Sequence, residues 1–188
     1  MDSDKGYDKG GLFGKGRLQT PSNVTRIGRA ILAEDKNQHP QIVYYQSGVG
    51  GGSTSIERFI GGGTGEGIDE HIREAYNFLA NNYTTGDQIF LLGFSRGAFT
   101  ARSIGGLIGG IGLLEKAGLP WFYLIFKDWE NAGVKGYKPK ILHVIPDFKL
   151  SSSPENIEQY LKGYRAELKK VLNSLKVLNL QLTRRSEA

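Results

Sequence analysis

One stretch, Gln88-Ile89-Phe90-Leu91-Leu92-Gly93-Phe94-Ser95-Arg96-Gly97-Ala98-Phe99, leaves this chain few ways to fold. Its apolar start reads as a buried β-strand, the Gly-x-Ser-x-Gly pentapeptide as a hairpin-tight corner, and the residues after it as the start of a helix. A serine at such a corner stands with its hydroxyl exposed, the arrangement of a nucleophile elbow. Gly93 and Gly97 have a steric task, since a Cβ at either position would crowd the turn. Ser95 is therefore the candidate nucleophile, with the backbone N–H of Arg96 next to it.

The bulk numbers narrow the class. A chain of 188 residues makes one domain with a real core. Glycine is the compositional outlier at 27 residues, concentrated between Gly48 and Gly112. With no cysteine there is no disulfide framework, thiolate metal site or cysteine nucleophile. His39, His71 and His143 lack ligand spacing, so neither a metal nor a cofactor is expected. The net charge of +5 is modest, and the basic pairs Lys169-Lys170 and Arg184-Arg185 read as a solvated helix face and tail, not a nucleic-acid interface. No apolar h-region follows Met1, and no run reaches the roughly 18 apolar residues of a membrane span. The expectation is a soluble, intracellular protein.

In chain order, residues 1–20 read as an exposed loop. Ser22 or Asn23 caps a helix with the apolar face Val24, Ile27, Ile31 and Leu32. Gln41 to Tyr45 is a β-branched and aromatic strand. The glycine clusters that follow, 48–52 and 61–67, fit neither a P-loop nor a dinucleotide fingerprint. Gly48, Val49 and Gly50 read either as a loop lining a pocket at the sheet edge or as a plain flexible connection. Ile68 to Leu79 is an amphipathic helix with an acidic first turn, and His71 is an ordinary surface or boundary residue on it. Residues 96–112 form a small-residue helix packed on the sheet. Trp121 to Trp129 is an aromatic helix, either core packing or an acyl-binding lid. Lys140 to Ile145 is another strand. A last amphipathic helix, about 155–180, carries Tyr160, Tyr164 and Leu168 on a face that buries against the domain or a partner.

Alternating helices and strands imply an α/β fold with a mainly parallel sheet, and right-handed crossovers put the glycine loops and Ser95 along one edge of it. The expected division is 1–20 as loop, 21–137 as a partial α/β-hydrolase domain, and 138–188 as a divergent C-terminal segment.

The string Leu-Leu-Gly-Phe-Ser-Arg-Gly-Ala-Phe-Thr-Ala-Arg-Ser, residues 91–103, resembles an uncharacterised-domain α/β-hydrolase family that contains the catalytic domain of type VI secretion phospholipase effectors and many fungal members. Residues 22–27, 43–50 and 121–129 match further pieces in order, so the resemblance covers about residues 20–131. It implies hydrolysis of a small-molecule or lipid acyl ester by Ser95, with the Arg96 N–H in the oxyanion hole. Two family features are missing: a central strand ending in Asp-Gly-Thr-Trp, and the segment bearing the triad aspartate and histidine. The missing strand implies an unpaired sheet edge and a marginally stable chain. After Ser95 the only histidine is His143, preceded by Glu115, Asp128 and Glu130, and none of these reads as a triad member. Two readings follow: a serine hydrolase, or a truncated, non-catalytic relative that acts as a binding module through its last helix.

Overall fold

The computed structural model describes residues 7–8, 17–18, 20–47, 66–145, 148–150 and 156–171. The glycine loop around Gly48, Val49 and Gly50 and the chain after Val171 lie outside them. Their elements are a two-residue antiparallel pair, β1 (Tyr7–Asp8) with β2 (Arg17–Leu18), then α1 (Asn23–Ala30), α2 (Glu66–Asn82), α3 (Arg96–Ile111), α4 (Phe122–Glu130) and α5 (Ile157–Val171). Short 3₁₀ segments cover Lys116–Trp121 and Lys140–His143. The chain divides into two compact units, Met1–His71 with Leu92–Ala101 and Ile72–Leu91 with Arg102–Ala188.

The expected parallel sheet is absent from the described residues, which are mainly helical. Besides β1 and β2, they carry only isolated bridges, one of them antiparallel between Glu34 and Pro40. Residues 41–47 and 88–94 carry no secondary structure. A sheet needs a neighbour about 4.8 Å away to take the backbone hydrogen bonds. Neither segment forms a strand ladder with another among the described residues, so strand-like composition alone makes no strand. The apolar side chains meant for a covered sheet are left outside: Phe90 is 78% exposed and Leu92 60%.

In the first unit, Ser22 caps α1 by accepting the Thr25 N–H on its Oγ at 3.2 Å. Thr25 is buried and shares a hydrogen bond with the Tyr45 hydroxyl at 2.9 Å. Gly28, on the same side of the helix, lies against Val43 and Tyr45. A hydroxyl chain thus ties α1 to the segment that follows it.

The second unit has a dense helical core. Ile72, Tyr76, Leu107, Ile111, Phe122, Phe126 and Leu168 are buried, and Tyr76 stacks on Phe122 with ring centres 4.2 Å apart. The Tyr76 hydroxyl donates to the Gly112 carbonyl at 2.8 Å and accepts the Leu114 N–H at 3.0 Å, closing the C-terminus of α3 onto α2. Gly112 itself has φ +86, a left-handed helix end that suits glycine. The small residues of α3 meet helices, not a sheet: Trp129 lies against Gly106 and Gly110, and Leu161 against Gly110.

Asp128 is the polar centre of this unit. Its carboxylate is 1% exposed and accepts hydrogen bonds from the Tyr164 hydroxyl at 2.7 Å, the Tyr137 hydroxyl at 2.9 Å and the backbone N–H groups of Lys140 and Ile141. Those two N–H bonds explain a second correction. The expected strand at 140–145 is a 3₁₀ turn at 140–143, because its leading N–H groups point together at one carboxylate instead of alternating outward as strand N–H groups do.

Burial pushes the Tyr164 hydroxyl well above the ordinary tyrosine value, with the Asp128 charge and hydrogen bond adding to it, and burial does the same for Tyr76. Both groups are protonated in the folded chain beyond the pH at which they ionise when unfolded. Their stabilisation is complete below about pH 10 and is lost as pH rises through the raised folded values. An ultraviolet titration should therefore show the exposed tyrosines ionising first and these two ionising only together with unfolding. Asp128→Ala strands four donors and should lower stability by about 3–5 kcal/mol in urea unfolding, against about 1.5–3 kcal/mol for Tyr164→Phe. A loss below about 1 kcal/mol for Asp128→Ala would show that the carboxylate is not what holds the unit.

Candidate active site

Ser95 lies between the extended stretch 88–94 and the first residue of α3. Its φ is +53, one of two positive values at non-glycine residues among those described. A left-handed backbone costs an ordinary residue roughly 1–2 kcal/mol, so the surrounding bonds must hold it there. They are short-range. The Gly97 N–H donates to the Phe94 carbonyl at 2.9 Å, and the Ala98 and Phe99 N–H groups donate to the Ser95 carbonyl at 3.0 and 3.3 Å.

The turn closes on Gly93. A Cβ built there would stand 2.2 Å from the Gly97 carbonyl oxygen and 2.6 Å from the Ala98 nitrogen, both rigid backbone atoms. Only glycine fits. Gly97 differs, since nothing lies within 4 Å of a Cβ placed on it, so the crowding expected at both glycines falls on Gly93 alone. Ser95 is exposed, as are Phe94 at 80% and Phe99 at 51%.

The other candidates sit on separate elements. Arg96 opens α3. His71 lies on α2, where its carbonyl accepts a hydrogen bond from the Gln46 amide at 3.3 Å. His143 ends the 3₁₀ segment at 140–143 and is exposed. Glu115 precedes the 3₁₀ segment at 116–121, and Glu130 pairs with Lys127 at 2.7 Å. Asp128 is committed to its tyrosines. His39 makes the imidazole–carboxylate couple of the first unit, with Nδ1 3.2 Å from Asp35 Oδ2. Asp35 also accepts the Asn37 and His39 N–H groups, and the His39 backbone N–H is the main cause that holds its carboxyl below the usual range. The sequence reading did not pick out this couple, although an aspartate four residues before a histidine, ahead of Pro40, is a readable turn signal. No group of three or more metal-ligating side chains gathers among the described residues.

Two substitutions probe the stored strain. Ser95→Gly should raise the urea midpoint, gaining up to about 1 kcal/mol from the relieved left-handed backbone. Gly93→Ala should lower it by several times that amount or abolish soluble expression, because neither backbone atom in its way can swing aside. Equal midpoints for wild type and Ser95→Gly would mean that the turn is not strained.

Comparison with known proteins identifies the family. Residues 9–153 match the family described as the type VI secretion phospholipase effector Tle1-like catalytic domain. An uncharacterised protein of the yeast Saccharomyces cerevisiae is 32% identical over 115 residues, a match covering 53% of this chain and 17% of that protein's length. No solved structure matches. The chain belongs to the Tle1-like phospholipase effector family, matched through its catalytic domain.

Proposed function

We propose that the chain is a serine-dependent hydrolase of acyl esters, phospholipase-like, with Ser95 Oγ as nucleophile. The observation that carries this reading is the backbone at Ser95. A serine at φ +53, on a turn that admits only glycine two residues earlier, sits where the fold gains nothing from a side chain, and the hydroxyl gives a reason for it to be there. The family match supplies the ester chemistry.

In this reaction the Ser95 hydroxyl attacks the ester carbonyl while an imidazole takes its proton. The Arg96 N–H, at the head of α3, donates to the developing oxyanion, and water then releases the acyl group from the serine. The chemistry requires no metal or organic cofactor. No histidine of this sequence reads as the family's triad base, so His39, His71 and His143 are the imidazoles to be tested for that role.

A second reading is favoured by one observation: among the described residues, no imidazole is hydrogen-bonded to Ser95 Oγ. On that reading the chain is a non-catalytic relative that binds a partner through α5.

A fluorophosphonate probe separates the two. The hydrolase reading expects labelling of wild type, none of Ser95→Ala, and loss of labelling in one of His39→Ala, His71→Ala and His143→Ala. Removing the base should slow ester turnover by about 10⁴-fold or more. Folded wild-type protein that stays unlabelled would favour the binding module and remove the enzyme reading for this chain.

A further inference from the structure

Gln88 to Gly93 is a stretch without regular structure whose backbone makes no hydrogen bond among the described residues. The nearest such bonds join Asp87 to Thr84 on one side and Gly97 to Phe94 on the other. Backbone left to water is ordinary in a polar loop, but these side chains suit a sheet interior. Ile89, Phe90, Leu91 and Leu92 follow one another, with Phe90 78% exposed, Leu92 60% and Leu91 38%. The Leu91 side chain turns to α3, 3.5 Å from a Cβ built on Gly105. A small molecule or a lipid could cover apolar side chains, yet neither supplies a row of N–H and carbonyl groups. Another extended backbone supplies both.

The charges at the two ends say which backbone. No charged residue falls between Gln88 and Ser95, while Asp87 stands just before and Arg96 just after. Two copies of the stretch laid antiparallel bring the Asp87 of each towards the Arg96 of the other, and parallel alignment sets like charge beside like. The stretch is therefore complementary to itself about a two-fold axis.

We propose that Gln88 to Gly93 is a self-association edge, on which a second copy of this chain pairs its own stretch in antiparallel sense. Phe90 and Leu92 are covered in the pair, and the backbone groups of the two copies satisfy one another. This interaction is independent of whether Ser95 is reactive.

The test is sedimentation equilibrium of the full chain over a range of concentrations, with circular dichroism to confirm the fold of each variant. Wild type should reach twice the chain mass and fall back to the single chain on dilution. Phe90→Pro and Leu91→Pro each remove one N–H, and neighbouring N–H groups of an extended stretch point to opposite edges. The proline on the pairing edge should weaken the dimer about ten-fold for each bond lost, about a hundred-fold with the change in both copies. A chain that stays single at every concentration, or a dimer that survives both prolines undiminished, would overturn the proposal. Orientation is read separately. The sequence has no cysteine, so a nitroxide on Gln88→Cys or on Leu92→Cys reports the distance to its counterpart alone. Antiparallel pairing with Asp87 near Arg96 puts the Gln88 labels about 20 Å farther apart than the Leu92 labels. Equal distances at the two positions would mean parallel pairing and would equally overturn it.

Discussion

A carboxylate that forms no ion pair among the described residues organises the second unit. Burying a charge is costly unless its lone pairs are met, and Asp128 is met by two phenolic hydroxyls and two backbone N–H groups. The donors come from the loop after α4, the 3₁₀ turn at 140–143 and α5, so one side chain on α4 fixes the positions of three later pieces of chain. Apolar packing then fills in around it: Phe148 against Tyr164, Trp129 against the glycines of α3, and Tyr76 closing the far end. The hydrophobic contacts supply most of the driving force, but they are tolerant of small shifts. The hydrogen bonds to Asp128 are not, and they select one arrangement from the many that would bury the same area.

Order in the first unit has a different source. It is held by local devices: the Ser22 cap, the Thr25–Tyr45 hydroxyl pair, the Asp35 turn and the crowded corner at Gly93. Such contacts define backbone geometry without covering much surface. Ile27, Leu32, Ile42 and Phe94 stay exposed beside them. A unit built this way can carry a strained residue such as Ser95, because the strain is balanced within a few residues of the chain.

The helices were legible in the sequence, and the expected sheet is absent from the described residues. Amphipathic spacing from Ile68 to Leu79 and an acidic first turn marked α2 well, and Ser22 marked the start of α1, because caps and periodicity act within one turn of chain. The runs at 41–45 and 88–92 have strand composition, yet strandedness belongs to pairs, and a single segment carries no record of its partner. Lys140 to Ile145 went wrong for a related reason: its conformation is set by Asp128, twelve residues back. At the candidate site, Ser95 and Gly93 could be found from their spacing alone. The role of Asp128 could not, although Tyr160 and Tyr164, four residues apart on one helix side, are unusual in a plain hydrophobic stripe.

The backbone at Ser95 also bears on how this chain changes over time. Most residues in a stable turn are kept because replacing them harms the fold. Ser95 is the reverse, since glycine would relax the turn at no steric cost. Random substitution therefore pushes on this position continuously, and only a use for the hydroxyl resists it. A line of descent in which that use had lapsed would be free to lose the serine while keeping Gly93, whose crowding by backbone is independent of any chemistry. The two residues of one short motif thus keep separate records, one of the fold and one of what the fold is for.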